Sequence, residues 1–491
     1  MVAHHCVSAL ELAQAAGQDV SAIVARTQAA LFAAGDRAES LNALPQAERY
    51  YAGALELAPA DDPARPYLLF RYGRVLYRRD ERGDAELGEA RDALLAAGDP
   101  EHAAEAMLLL ADIAWKSGRS EDVALHLEGA RSLVAGRPPS RAQVAVLSEV
   151  ARYDMVGGRL DSAIEVGAEA LAMADALGFD DLRAHALNNI GAARAESGDR
   201  AGLAQLEESI ELAWRLNSIS NLLRGHNNLT VCHVLHGDFE LARAYETKTI
   251  ELAEQFGQQG FARFMEAGAV AHRLLAGEWD EALGRADAAL AEGGPRSYVT
   301  AVMHAFRGLI RAGRGDDLAD KDAEASAEFA RAIRDPQALV PNLSMDAAIF
   351  LLTGKEQRAG QILTEAVGTL RTLDHLGFAA SELQWLAWAA VVVGREAELI
   401  DIIDGEPFKS PWLRAAGAVV ARDFRAAADI FGGIGIVAHE AFFRLRAAEA
   451  LVAERRRAEA DEQLNAALAF YRSVAAARFV REGEALLAAS A

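Results

Sequence analysis

The chain has 491 residues, of which 52% are hydrophobic and 7% aromatic, and its formal net charge is −22. This length exceeds one ordinary compact domain and fits either several domains or one extended repeat array. The negative charge would repel a phosphate backbone, which argues against sequence-independent nucleic-acid binding. Ala and Leu are strong helix formers and dominate the apolar content, so the composition predicts a mostly helical protein.

Two distant cysteines, Cys6 and Cys232, do not form a disulfide framework and fit a reducing compartment. The N-terminus has neither a basic region nor an apolar region of the kind found in a signal peptide. The longest apolar run, Trp385 to Val393, has nine residues and is too short to cross a bilayer. We therefore expect a cytoplasmic protein without a membrane contact.

The first part of the chain, residues 1–98, predicts irregular helical hairpins. A helix from Val20 to Leu44, interrupted near Gly35, pairs with a helix from Gln46 to Pro59. Two further segments, 67–79 and 85–97, form the next pair. Their spacing is irregular, so we expect a terminal region that differs from the rest of the array.

Residues 99–405 carry a regular repeat. Glycines that end helix-like segments recur at intervals of 38 to 40 residues: Gly118, Gly158, Gly198, Gly237, Gly277, Gly315, Gly354 and Gly394. A glycine supplies the left-handed residue that ends the first helix of a hairpin. Self-similarity at this period is typical of stacked helical hairpins, each of which buries its apolar side against its neighbours.

The position five residues after the glycine is apolar in seven repeats: Val123, Ala163, Leu203, Ala242, Ala282, Ala359 and Leu399. A small apolar side chain there lets two antiparallel helices approach closely near their shared turn. The repeat that begins at Gly315 has Asp320 at this position and departs from the pattern.

The segments Gly-Asp-Phe-Glu-Leu-Ala (237–242) and Gly-Glu-Trp-Asp-Glu-Ala (277–282) resemble the turn of the tetratricopeptide repeat. The resemblance implies an all-α, right-handed α-solenoid of antiparallel helix hairpins. The period near 40 residues is longer than the usual 34, which we attribute to longer helices.

Residues 406–491 predict shortened repeats and a terminal capping helix. Segments 412–424 and 426–431 form a compressed hairpin, 438–454 and 458–474 a longer one, and 479–487 the cap. The two ends of the chain, at 2–13 with 33–38 and at 444–487, resemble the C-terminal region of large bacterial signalling ATPases of the AAA/STAND type. Many of those carry a class III adenylate or guanylate cyclase domain upstream, so an ATPase or cyclase module is a possible partner.

Catalytic and cofactor motifs are weak in this sequence. The single Gly-Lys pair, Gly354-Lys355, is followed by Glu356 and lacks the phosphate-loop pattern. The groups His4-His5-Cys6 and Cys232-His233-His236 lack the spacing of known zinc motifs, and we expect buried cysteines instead. The sequence therefore predicts no enzyme activity, no cofactor and no metal site.

Paired asparagines occupy the same place in consecutive repeats, Asn188-Asn189 before Gly198 and Asn227-Asn228 before Gly237. If the first helices line a concave groove, these amides would donate and accept hydrogen bonds with an extended peptide. His185 and Arg224 would line the same surface. The alternative is that the amides bond to neighbouring helices or to water.

Three functions remain open from the sequence. The first is a protein-interaction scaffold or sensor that binds a protein or peptide in the groove and regulates signalling. The second is the C-terminal part of a cyclase or ATPase enzyme whose catalytic domains lie upstream. The third is a small-ligand sensor with an aromatic wall of Trp385, Trp388 and Trp412, for which core packing is the competing interpretation.

Overall fold

The chain is all-α. The computed structural model describes residues 2–80, 82–117, 119–291, 297–333 and 335–488, and all regular structure in these ranges is helical, in 26 α-helices and one 3-10 helix. The chain divides into two compact units, residues 1–150 and 151–491. The boundaries predicted at 98 and 405, which rest on repeat regularity, stay a prediction.

The first unit consists of consecutive helical hairpins, in which α2 packs on α3, α4 on α5 and α6 on α7. Its helices are α1 (Val2–Ala15), α2 (Ser21–Ser40), α3 (Leu44–Leu57), α4 (Arg65–Asp80), α5 (Asp84–Ala96), α6 (Pro100–Lys116), α7 (Ser120–Val134) and α8 (Arg141–Val156). The division between the two units falls within α8, after Val150. The hairpins predicted before residue 98 are confirmed by α2 to α5.

The predicted interruption near Gly35 is wrong, because α2 runs unbroken from Ser21 to Ser40. A Cβ built on Gly35 would lie 2.5 Å from a ring atom of Tyr51 on the facing helix. Tyr51 is fully buried, and its hydroxyl donates to Asp36 at 2.6 Å. Gly35 therefore serves close packing between two helices and does not end one.

The second unit continues the hairpins, and these are followed by two pairs of short helices, one further long pair and a final helix. Its helices are α9 (Leu160–Leu177), α10 (Asp180–Glu196), α11 (Ala201–Arg215), α12 (Ile219–His236), α13 (Phe239–Gln255), α14 (Gln259–Leu275), α15 (Trp279–Ala291), α16 (Tyr298–Arg314), α17 (Ala319–Ile333), α18 (Pro336–Leu352), α19 (Glu356–Leu370), a 3-10 helix (Gly377–Ala380), α20 (Leu383–Val392), α21 (Ala397–Gly405), α22 (Pro411–Val420), α23 (Phe424–Gly433), α24 (Val437–Ala453), α25 (Arg457–Ser473) and α26 (Ala477–Ala488). The predicted compressed hairpin, longer hairpin and cap correspond to α22 to α26.

The repeat glycines adopt the predicted left-handed conformation. Positive φ angles occur at Gly158, Gly198, Gly237, Gly277, Gly315, Gly354 and Gly394, whereas Gly118 lies outside the described residues. At Gly237, for example, φ is 79°, and the following amide of Asp238 donates to the carbonyl of His233 at 2.9 Å. This closes the end of α12 in the way expected of a glycine cap.

The apolar positions after each glycine are also where the sequence predicts them. The side chains that are fully buried are Ala163, Ala242, Ala282, Ala359 and Leu399; Val123 is buried and Leu203 half-buried. In the exceptional repeat, Ala319 takes the buried position one residue earlier, and the half-buried Asp320 pairs with Lys355 of the next hairpin. In this repeat the buried small side chain therefore lies one residue nearer the glycine than in the others.

Later parts of the second unit pack on the turns of its earlier hairpins. A Cβ on Gly158 would lie 2.7 Å from the backbone oxygen of His375, and the His375 amide donates to the Gly158 carbonyl at 3.1 Å. Similar contacts follow in chain order: Gly198 faces Phe408, Gly237 faces Ile434, Gly277 faces Phe470 and Gly315 faces Arg481. Residues 375–481 therefore run along the turn edge formed by the earlier glycines.

This return of the chain buries the middle of the second unit. One hydrophobic cluster extends from Phe239 to Phe479. Helices α18 and α20 are buried on nearly all sides, and apolar residues accordingly occur on every face of each, beside a few buried polar side chains such as Asp346 and Gln384. No helix of the described residues is both long enough and apolar enough to cross a bilayer.

Candidate functional site

The predicted asparagines form a ladder between two consecutive first helices, α10 and α12. The Asn228 amide donates to Asn188 Oδ1 at 2.7 Å, and an Arg224 guanidinium nitrogen donates to Asn189 Oδ1 at 2.9 Å. One helical turn nearer the start of α12, the amide of Asn221 donates to the backbone oxygen of Asp181 at 3.0 Å. These polar contacts help to hold α12 against α10.

The ladder side chains differ in exposure. Asn188 and Asn189 are fully buried and His185 is buried, whereas Arg224, Asn227 and Asn228 are half-buried. The structure therefore shows the alternative that the sequence left open, in which amides bond to the neighbouring helix. Whether the accessible members also contact a partner stays a prediction.

One donor of the ladder is unsatisfied. The Nδ2 group of Asn188 is buried and has no hydrogen-bond acceptor within the described part of the chain. A buried donor without a partner costs about 1–3 kcal/mol. An acceptor supplied by a further group would remove this cost.

The neighbouring His226 is buried beside Tyr245, with 5.9 Å between the ring centres. Burial, with a smaller contribution from the charge of Lys248, lowers the pKa of His226 to about 4. His226 is therefore neutral at physiological pH and adds no positive charge to this face.

The Cys232, His233 and His236 group has separate partners. His233 stacks on Tyr245 and its Nδ1 lies 3.1 Å from an Asp238 oxygen, while His236 Nε2 lies 3.0 Å from the Ala195 carbonyl. Burial raises the pKa of the Cys232 thiol well above its ordinary value. Among the residues that the structure describes, no group of three or more His, Cys, Asp or Glu side chains could hold a metal ion.

The three tryptophans predicted as a core or an aromatic wall are buried. Trp412 donates from Nε1 to the Val234 carbonyl at 2.8 Å, and Trp385 donates to Glu382 at 2.8 Å. Trp388 lies edge-on to Phe442, with 4.8 Å between the ring centres. The core-packing interpretation is confirmed.

Several buried carboxyl groups escaped the sequence analysis, among them Glu196 and Glu382. Glu196 accepts from the Phe378 amide at 3.3 Å, and its burial raises its pKa to about 8. Glu382 accepts from the Gln384 amide, the Trp385 indole and a ring nitrogen of His439, the last at 2.9 Å. Their partners lie far along the chain or inside a buried helix, and no spacing in the sequence indicates them.

These hairpins, glycine turns and buried small residues define an all-α helical repeat protein of the tetratricopeptide type. No family model matches the chain, and no curated protein matches it. Solved structures similar to it include a Rap protein complexed with competence and sporulation factor, at 13% identity and a TM-score of 0.45, covering 84% of this chain and 98% of that chain.

A second similar structure is a signal transduction ATPase with numerous domains from Pyrococcus horikoshii that has a tetratricopeptide repeat sensor. It has 14% identity and a TM-score of 0.44, covering 74% of this chain and 56% of that chain. A third is the human IFIT1 dimer with m7Gppp-AAAA, at 14% identity and a TM-score of 0.37, covering 88% of this chain and 96% of that chain. With identities and scores this low, the description of the fold rests on the helices themselves.

Proposed function

We propose that this chain is a protein-interaction module that binds an extended peptide segment of a partner along α12. The observation that carries the proposal is the half-buried row of Arg224, Asn227 and Asn228, which borders a buried amide donor without an acceptor. Amide side chains both donate and accept, and so complement a peptide backbone of any sequence.

The ladder supports a specific arrangement of this contact. Asn227 makes a long hydrogen bond of 3.3 Å to its own neighbour Asn228, so its amide exchanges this bond for a partner at little cost. If the Asn228 side chain rotates away, a backbone carbonyl of the partner can enter beside it and accept a hydrogen bond from Asn188 Nδ2. The buried amides of Asn188 and Asn189 would then hold the half-buried side chains of α12 in place before the partner binds.

We further propose that the module is regulatory and cytoplasmic, and that it is not itself a catalyst. The resemblance of its two ends to signalling ATPases supports a sensor role next to an ATPase or cyclase module. The purified chain is expected not to hydrolyse ATP, and metal-dependent turnover by a homogeneous preparation would contradict this part of the proposal.

The binding proposal is tested with Asn227→Ala, because Asn227 is half-buried and its substitution leaves the contacts between α10 and α12 in place. Partners are captured from an extract of the native cell, identified by mass spectrometry and remeasured with purified components. Loss of one amide contact is expected to weaken binding about fivefold without a change in melting temperature.

Asn465→Ala on α25 is the matched control, since Asn465 is an exposed asparagine far from α12 in the sequence. It should leave the affinity unchanged. Equal affinities of the wild-type protein, Asn227→Ala and Asn465→Ala for every captured partner would refute a binding role for α12.

A further inference from the structure

A cavity of about 400 Å³ lies among α18, α19, α20, α23 and α24, away from the amide ladder. This volume is within the range of small-molecule sites. Its apolar wall includes Trp388, Val391, Val392 and Phe424. Val392 is 44% exposed, so the cavity opens to solvent beside it.

The positive charges on the lining are already paired. Arg446 is buried between the rings of Trp388 and Phe442, and it forms ion pairs with Glu449 at 3.0 Å and with Glu482. The second lining arginine, Arg422, pairs with Glu396 at 2.9 Å. An anionic ligand would have to compete with these carboxylates for both guanidinium groups.

The negative charges are in excess. Four carboxyl groups lie on the cavity or pair with its arginines, against two guanidinium groups: Glu356, Glu396, Glu449 and Glu482. Glu449 and Glu482 share the single charge of Arg446, and Glu356 is exposed at the start of α19. The lining therefore carries one carboxylate charge in excess, that of Glu356, and a second one when Glu449 is ionised.

We propose that this cavity binds a small organic cation, an ammonium group carried on an apolar or aromatic body. The ammonium group contacts Glu449 and Glu356, while the body packs on Phe424, Val391 and Val392. Carboxylates complete the charge-assisted hydrogen bonds of an ammonium group, and an apolar wall favours an apolar body. This site is independent of the peptide contact proposed for α12.

The environment of Glu449 gives the binding a pH dependence. Burial raises the pKa of Glu449 to about 8; the charge of Arg446 on the same helix opposes this, and Glu482 on α26 adds to it. The other charged or titratable groups near it are Tyr471 on α25, and Glu356 and Arg422 on the cavity. A bound cation favours the ionised form of Glu449, so affinity should rise between pH 6 and pH 8.

Phenethylamine, 2-phenylethanol and 3-phenylpropionate are suitable probes, because they share a phenyl ring and differ in charge. Titration calorimetry on the full chain should show phenethylamine binding at least about tenfold more tightly than the other two, as expected for one charge-assisted contact. Its ammonium group stays protonated between pH 6 and pH 8, as that of a lysine does. The pH dependence of its affinity therefore reports on the protein.

Glu449→Gln should weaken phenethylamine binding about tenfold and remove the rise with pH. Glu462→Gln is the matched control, since Glu462 is exposed on α25 and does not line the cavity. Val392→Trp, at the exposed mouth, should block binding even if Glu449→Gln fails to fold. Equal binding of the three probes, no binding of phenethylamine, or unchanged affinity in the folded Glu449→Gln or Val392→Trp variant would overturn the proposal.

Discussion

The close contact between Gly158 and His375 allows the loss in free energy of unfolding to be predicted for a substitution in the second unit. In Gly158→Ala, the new Cβ would lie 2.7 Å from the His375 backbone oxygen, which cannot rotate away as the end of a side chain can. The φ angle of Gly158 is 75°, so alanine also adopts a left-handed conformation there. Two separate costs therefore add at this position.

A control at Gly354 separates these costs. Its φ angle is 78°, and no atom lies within 4 Å of a Cβ built there. The left-handed conformation costs alanine about 1–2 kcal/mol at either site. Overpacking and the weakened His375 hydrogen bond add about 1–3 kcal/mol at Gly158 alone. We expect Gly158→Ala to lower the free energy of unfolding by this further amount relative to Gly354→Ala.

Urea unfolding followed by tryptophan fluorescence measures the difference. Of the six tryptophans, five lie in the second unit, and the sixth, Trp115, lies in the first. The signal therefore reports mainly on the unit that carries both substitutions. Equal destabilisation by the two variants, within about 0.5 kcal/mol, would refute the close packing of His375 on this turn.

Two further predictions concern a buried carboxyl and a buried glycine. The pKa of Glu196 is raised to about 8, so the native state holds a proton that the unfolded chain has already lost, and stability falls as pH rises from about 4.5 to 8. Because glutamine does not titrate, the free energy of unfolding of Glu196→Gln should fall less steeply with pH than that of the wild-type protein, by up to about 1.4 kcal/mol per pH unit in urea unfolding. Equal slopes for the two proteins would contradict the raised pKa. Gly35→Ala should destabilise the first unit by about 1–3 kcal/mol through the Tyr51 ring, whereas Gly88→Ala, with no atom within 4 Å, should stabilise it by up to about 1 kcal/mol. Amide hydrogen exchange measures both effects: protection in α2 should fall in Gly35→Ala, and protection in α5 should rise in Gly88→Ala. A change in the same direction in both variants would contradict the close packing of Gly35 on Tyr51.

The repeat itself could be predicted because its signals are local. A glycine such as Gly237 ends a helix through its own φ angle, and Ala242 is small because the adjacent helix of the same hairpin crosses it. Both requirements fall within a few residues of the turn, so the sequence displays them at every period. At Gly35 the same residue type has another role: α2 continues through it, and its lack of a side chain makes room for the ring of Tyr51, whose contact no local pattern in the sequence displays.

The candidate site could be predicted only in part. The asparagine pairs 188–189 and 227–228, at equal positions in consecutive repeats, predicted a shared face, and the structure joins Asn228 of one pair to Asn188 of the other by a hydrogen bond. Their burial depends on what packs over that face, which periodicity does not encode. The cavity beside Glu449 was missed for a similar reason, because α18, α20 and α24 are brought together by packing between separate hairpins.

The contacts along the glycine turns change how the second unit should lose its structure. In a simple repeat array, each hairpin touches only its neighbours, and stability is a sum of nearest-neighbour terms, so the ends fray first. Here the amide of His375 is bonded to Gly158 and the indole of Trp412 to Val234, each across more than four hairpins of chain. Loss of a terminal hairpin therefore exposes apolar surface on an early one, and the unit should melt as one cooperative block rather than repeat by repeat.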